Sequence, residues 1–230
     1  MPIYMLPDEP VFPNPNWADE SGVLAIGGDL ARERLIAAYR QGIFPWPYED
    51  EPLLWCCPDP RTILVPSEVQ VSRSLRAVIR RAEFDVRMDQ DFRGVMIGCA
   101  STPRPGQESG SWINDEMVQA YVDLFEQGLA HSIESYHQGE LVGGLYGVCL
   151  GRVFFGESMF SRRDNASKVA LVALCRLLQE NRFEFIDCQL RTDHLIRMGA
   201  REIPRSEFLT RLRRATTAPW DRSRWEPIPF

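Results

Sequence analysis

The sequence predicts an α+β fold: a mixed sheet packed with helices, preceded by a small N-terminal α/β domain. Three observations carry this. Residues Ala130 to Leu150 alternate like strands around a Gln138-Gly139 turn. A long apolar helix pattern follows, Asn165 to Glu180, and then a further strand. Finally, 11 of the 17 prolines lie in the first 66 residues, a composition shift that places a domain boundary near Pro66. The expected division is a small domain at 1–66 and a larger one at 67–230.

Each element has a local reason. Asp29 is a good N-cap for a helix over Leu30–Gln41, with Leu30, Leu35, Ala38 and Tyr39 on one face and Gly42 as its stop. Gly42–Pro47 and Leu54–Arg61 are rigid aromatic connections before a short strand at Thr62–Val65. Val69–Ala82 predicts a helix burying Leu75, Val78, Ile79 and Ala82, with Arg73, Arg76, Arg80 and Arg81 on the opposite side. Phe84–Met88 reads as a strand and Phe92–Cys99 as a helix. A polar loop fills Ser101–Ser111, and a helix capped by Asn114 ends at Gly128. After the strands Ala130–His137 and Glu140–Leu150, Gly151 turns into a third that runs through Phe155. In Asn165–Glu180 the residues Val169, Ala170, Val172, Ala173, Leu174 and Leu177 are apolar. Phe183–Gln189 is the next strand, and Thr192–Met198 and Ser206–Arg214 are short helices. The tail from Ala215 shows no periodicity.

Composition narrows the function. At 230 residues, 44% hydrophobic and 25% charged, the chain can bury a large core, which excludes disorder and fibrous repeats. Its longest weakly polar run, Leu141–Leu150, is well short of the roughly 18 residues a membrane helix needs. The start, Met1 to Pro10, lacks the basic and apolar regions of a secretory signal, so a cytoplasmic location is expected, with no membrane partner. Net charge is −6, which argues against a general nucleic-acid binder and against DNA. Of the 26 basic residues only Lys168 is a lysine, a hint of a local need.

Several chemistries are disfavoured. The six cysteines form no C-x-x-C pair and only three histidines could join them, so no metal is expected. Cys99, Cys149 and Cys175 read as core. Cys188 and His194 are the one nearby nucleophile pair, and a mid-strand Cys188 would be buried. Ile26–Leu30 lacks the lysine and spacing of a phosphate-binding loop. What remains is polar chemistry at strand ends. In Phe185–Gln189 the two-residue period sends Asp187 and Gln189 to one face. Glu157 sits among Phe154, Phe155, Met159 and Phe160, where a carboxylate is costly unless paired or facing a ligand, Arg162 and Lys168 being the available cations.

Three antiparallel strands, a helix and a fourth strand match the core order of the GNAT acyltransferase fold. Ordinary GNAT enzymes hold acyl-CoA with a glycine-rich loop, and Phe160–Lys168 has no glycine, so the acyl carrier is expected to be something else. More specifically, seven segments in order resemble the leucyl/phenylalanyl-tRNA-protein transferase family: Phe12-Pro-Asn-Pro, Gly22–Leu30, Ala38–Trp46, Trp55–Arg61, Phe155–Arg162, Asn165–Lys168 and Asp187–Gln189. They span Phe12 to Leu212. The chain departs at Cys56, where the family usually has a second tryptophan.

The resemblance implies an enzyme that takes leucine or phenylalanine from aminoacyl-tRNA and joins it to the N-terminal arginine or lysine of a protein, a degradation signal in the N-end rule pathway. It implies no cofactor, because an aminoacyl ester is already activated. It makes Asp187 and Gln189 the catalytic relay, with Asp187 expected to bond the Gln189 amide and leave its oxygen for the attacking amine. Glu157 is carried over as a substrate-site residue for the α-amino group or the terminal ribose. Leu145, Phe154, Met159, Leu171, Leu174, Leu178 and Ile186 fall on the family's positions for the apolar pocket. Trp46 and Trp112 are expected to stack the terminal adenine, and Arg73, Arg76, Arg80 and Arg81 to grip tRNA phosphates. The competing expectations are a GNAT-fold enzyme using acyl-CoA, a peptidoglycan-type aminoacyl ligase and a non-catalytic RNA-binding protein.

Overall fold

The structure, a computed structural model, describes residues 3–47, 52–102, 113–220 and 225. Four short strands, β1 (Tyr4–Met5), β2 (Val23–Ile26), β3 (Phe44–Trp46) and β4 (Leu54–Cys56), form a sheet in the order β1-β2-β4-β3 beside helix α1 (Arg32–Arg40). Sequence reading missed this sheet, because strands of two to four residues are too short for alternation to show.

The larger sheet has seven strands: β5 (Arg61–Leu64), β6 (Asp85–Met88), β7 (Ala130–His137), β8 (Glu140–Leu150), β9 (Val153–Ser161), β10 (Phe185–Gln189) and β11 (Arg201–Ile203). Their order is β11-β5-β10-β9-β8-β7-β6. Helices α2 (Arg73–Arg80), α3 (Phe92–Ser101), α4 (Asp115–Glu126), α5 (Ala166–Glu180), α6 (Asp193–Arg197) and α7 (Arg205–Thr217) complete the described chain. The order β7-β8-β9-α5-β10 is the GNAT-like one read from the sequence. Strands β7, β8 and β9 are antiparallel, and β10 returns parallel to β9.

Strand alternation builds two cores, one on each face. Tyr146, Val148, Leu150, Val153, Phe155 and Phe185 join α1, α3, α4 and the small sheet in one, which therefore runs without a break into the N-terminal elements. Leu145, Cys149, Phe154 and Ile186 meet α5 and α2 in the other. Gly42, at φ +76°, stops α1, and a side chain there would meet the Phe208 ring at 2.6 Å.

Local expectations need four adjustments. Helix α1 starts two residues later than expected because the Asp29 carboxylate accepts from Ala31 N–H and from Arg34. Helix α2 is shorter than expected because Ser72 caps it. Strand β9 continues past Phe155 through Glu157 to Ser161. In the tail, α7 runs on to Thr217, and Trp220 packs edge-on against Phe183 at 5.1 Å.

Candidate active site

Gln189 ends β10, and its backbone sits at φ +62°, a left-handed conformation uncommon outside glycine. Two separate networks hold it there. From behind, Asp187 Oδ1 accepts the Gln189 backbone N–H at 3.0 Å. From the side, the Gln189 amide Nε2 donates to Glu157 Oε1 at 2.9 Å. Among the described residues nothing donates to the Gln189 side-chain oxygen, so that acceptor is left to the cavity it lines. The parallel register accounts for the meeting: Asp187 lies opposite Phe155, which puts residue 189 abreast of residue 157. This corrects the expected link within the relay. The group that fixes the Gln189 amide is Glu157, and Asp187 acts on its backbone.

Asp187 is fully buried and ion-paired. Arg61, on β5, reaches it with Nε at 2.8 Å and a terminal nitrogen at 2.7 Å, a two-pronged contact. The guanidinium is also fully buried, its carbon 4.7 Å from the Phe44 ring centre and 4.6 Å from that of Phe208. Burial opposes the arginine's charge, but the Asp187 carboxylate outweighs it and holds the guanidinium protonated. The pair fixes the end of β10 before any substrate arrives.

Glu157 has no cation partner among the described residues. Neither Arg162 nor Lys168 reaches it, contrary to the pairing weighed from sequence. It is satisfied instead by phenols: Tyr121 from α4 donates to it at 3.1 Å, and Tyr39 from α1 stands at the same carboxylate and shares a hydrogen bond with the Tyr121 hydroxyl. Burial pushes the Glu157 carboxyl up to about 7; the two tyrosines and Gln189 pull it down, while the Asp187 charge adds to the rise. Burial, and then the Glu157 charge, push both phenols well above their ordinary value, so both remain donors.

The Glu157 carboxyl is raised in the folded state, so its favourable contribution is complete below about pH 4.5 and lost as pH rises through about 7. Glu157→Gln keeps a hydrogen-bonding group of the same size but cannot ionise. The melting temperature of the variant minus that of the wild type is therefore expected to grow between pH 5 and pH 8, by an amount on the order of 3 kcal/mol in stability. A difference independent of pH would show that the carboxyl titrates normally.

Glu157 and Gln189 line a cavity of about 1060 Å³. Leu145, Phe154, Met159, Leu171, Leu174 and Ile186 supply apolar wall, and Trp46 stands at the same cavity. Leu178 does not line it: it is buried a turn further along α5, in the core. Trp112 lies outside the described residues. Cys188 and His194 both line the cavity, but burial above all pushes the thiol far up, and its sulfur contact is with the Ile186 carbonyl at 3.8 Å. A nucleophilic thiolate is not what this site offers. No group of three or more His, Cys, Asp or Glu side chains among the described residues is placed to hold a metal ion.

Arg73, Arg76 and Arg80 share an open hollow of about 840 Å³ with Arg176. Arg81 does not join them: it follows the last turn of α2 and pairs with Glu83 at 2.7 Å.

Sequence reading missed Tyr39, Tyr121 and Arg61 as parts of the site. A signal existed for each. Arg61 is a charge opening an apolar strand, and a buried tyrosine hydroxyl needs a partner. What no local pattern contains is that α1 and α4 deliver their phenols to the same carboxylate.

Comparison with known proteins agrees along the chain. A family model described as leucyl/phenylalanyl-tRNA protein transferase matches residues 63–213, and one for the N-terminal domain of the same family matches residues 28–59. The leucyl/phenylalanyl-tRNA–protein transferase of Solidesulfovibrio magneticus is 54% identical over 94% of this chain and 87% of its own. That of Myxococcus xanthus is 53% identical over 98% and 97%. Among solved structures, L-PGS of Bacillus licheniformis is 13% identical, with a TM-score of 0.38, over 76% of this chain and 56% of that one. No helix among the described residues is long and apolar enough to cross a membrane.

Proposed function

The chain belongs to the leucyl/phenylalanyl-tRNA protein transferase family, and on that premise we propose which substrates it takes and how its residues serve them. It is an aminoacyltransferase, moving an amino acid from aminoacyl-tRNA to a protein. The amino acid is leucine or phenylalanine, with methionine tolerated. The acceptor is a protein with N-terminal arginine or lysine, and the product is a degradation signal of the N-end rule type. The small N-terminal sheet and α1 serve the larger, catalytic unit; the boundary expected at residue 66 moves ahead of β5, because Arg61–Leu64 is a strand of the larger sheet.

In the reaction, the acceptor's α-amino nitrogen attacks the ester carbonyl, the new C–N bond forms, and the ester C–O bond breaks to release the ribose hydroxyl. The nitrogen loses a proton and the leaving oxygen gains one. An α-amino group titrates near 7.7 to 8.0, so a useful fraction is already free amine at neutral pH. What the enzyme must add is position. The observation that carries the reading is the Gln189 amide, held through its nitrogen by Glu157 so that its oxygen is left to accept from the attacking amine. Asp187 and Arg61 position it. Glu157 has a second use at the same place: in its charged form it can receive the α-amino group of the esterified residue. Trp46 and Trp112 stack the terminal adenine, and Arg73, Arg76 and Arg80 grip acceptor-stem phosphates.

Labelled leucine is expected to pass from leucyl-tRNA to a peptide beginning with arginine and not to one beginning with alanine. The pocket sets a second expectation. An apolar wall separates ligands by only about 1 to 3 kcal/mol per methylene, so valyl-tRNA should be a poor donor by about tenfold or more. Equal transfer of valine would contradict the assignment of Leu145, Phe154, Met159, Leu171, Leu174 and Ile186 as the pocket.

A further inference from the structure

The catalytic cavity does not end at its apolar wall. A third hollow, of about 570 Å³, shares Lys168, His194 and Arg197 with it and shares Val69, Val71 and Arg76 with the arginine hollow of α2. The three hollows adjoin through these shared residues, with Gln189 at one end and Arg73 and Arg80 at the other. The middle one is cationic. Lys168 and Arg197 have no acidic partner among the described residues, whereas Arg61, Arg81, Arg87, Arg201 and Arg214 are each paired. The contact of Lys168 is a long one, to Asn165 at 3.4 Å. Two carboxylates, Asp164 and Asp193, also line the cavity, and Asp193 faces Arg191 at 3.5 Å.

Between the two cations lies His194, whose Nε2 is buried without a hydrogen-bond partner among the described residues. Burial first, and then the Lys168 and Arg197 charges, push the ring's proton affinity down. Lys168 is half-buried and Arg197 exposed, so the two cations are open to the groove beside an imidazole whose buried nitrogen is unmet. An anionic oxygen would meet both cations and, in the tautomer that carries the proton on Nε2, the imidazole as well.

We propose that Lys168, His194 and Arg197 form a phosphodiester site that takes the backbone of the unpaired RNA strand leading from the esterified residue to the acceptor stem. The inference rests on reading the cavity as the aminoacyl-ester site, and it adds a contact between that site and the arginine hollow. It also gives the one lysine of an arginine-rich chain a task, as a compact charge against a phosphate.

The test compares Lys168→Gln and Arg197→Gln with the wild type on three donors: the leucyl ester of adenosine, which has no phosphodiester; the leucyl ester of cytidylyl-(3′→5′)-adenosine, which has one; and leucyl-tRNA. Each variant should lose about tenfold in kcat/KM on the second and third donors and nothing on the first. The slope of log kcat/KM against log salt should flatten by about 0.7 per lost contact. Equal loss on all three donors would mean a structural role and overturn the site. So would no loss on any, or a loss confined to KM for the acceptor peptide, which would assign the groove to the protein substrate. If the wild type used none of the three, the transferase reading itself would fail and take this site with it.

Discussion

Gln189→Ala is expected to lower kcat for leucine transfer by about 10² to 10³ while changing KM for leucyl-tRNA little, because the residue's oxygen meets the attacking amine and not the tRNA. The fold should survive. Gln189 stands at the end of β10, and its removal leaves a space that opens on the cavity. Glu157 would lose the Gln189 donor and keep the paired phenols of Tyr39 and Tyr121. Steady-state kinetics with leucyl-tRNA and an arginine peptide, beside a thermal melt, separate the two effects. A kcat within threefold of wild type, at unchanged stability, would remove Gln189 from the reaction.

The second large effect is on folding. In Asp187→Asn the Arg61 guanidinium keeps its charge in a fully buried place between Phe44 and Phe208, without its ion-pair partner. Removing one partner of a buried pair costs about 3–5 kcal/mol, which in a chain of this size is a fall of roughly 10 °C in Tm. Replacing both, as in Arg61→Met with Asp187→Leu, removes the charge problem and should return most of that stability. It should not return activity, because the Gln189 backbone N–H then has no carboxylate to hold its left-handed turn. Recovery of activity along with stability in the double variant would show that the pair only supports the fold.

How much of this was open to reading residue by residue divides along the range of the interactions. Strands β7 and β8 and helix α5 announce themselves because their patterns are long and the strands meet at a glycine turn, Gln138-Gly139. Glu157 was visible as a problem, a carboxylate in an apolar strand, but its solution was not. The nearby cations Arg162 and Lys168 looked like partners, whereas the donors come from Tyr39 and Tyr121, 118 and 36 residues away. The same holds for Asp187. Its strand period placed it beside Gln189, yet its ion-pair partner is Arg61, 126 residues earlier, across the β5–β10 ladder. Side-chain period says which residues are near one another in a strand. It does not say which atoms they share, and here the shared atoms decide that Glu157 orients the amide and Asp187 the backbone.

The most direct measurement is a crystal structure with a non-reactive donor, the leucyl amide of 3′-amino-3′-deoxyadenosine, together with a peptide beginning with arginine. The peptide's α-amino nitrogen should lie within hydrogen-bond reach of the Gln189 side-chain oxygen, with the leucyl chain against Leu145, Phe154 and Ile186. An amine bound elsewhere, or a Gln189 amide turned so that its nitrogen faces the ligand and its oxygen faces Glu157, would contradict the account.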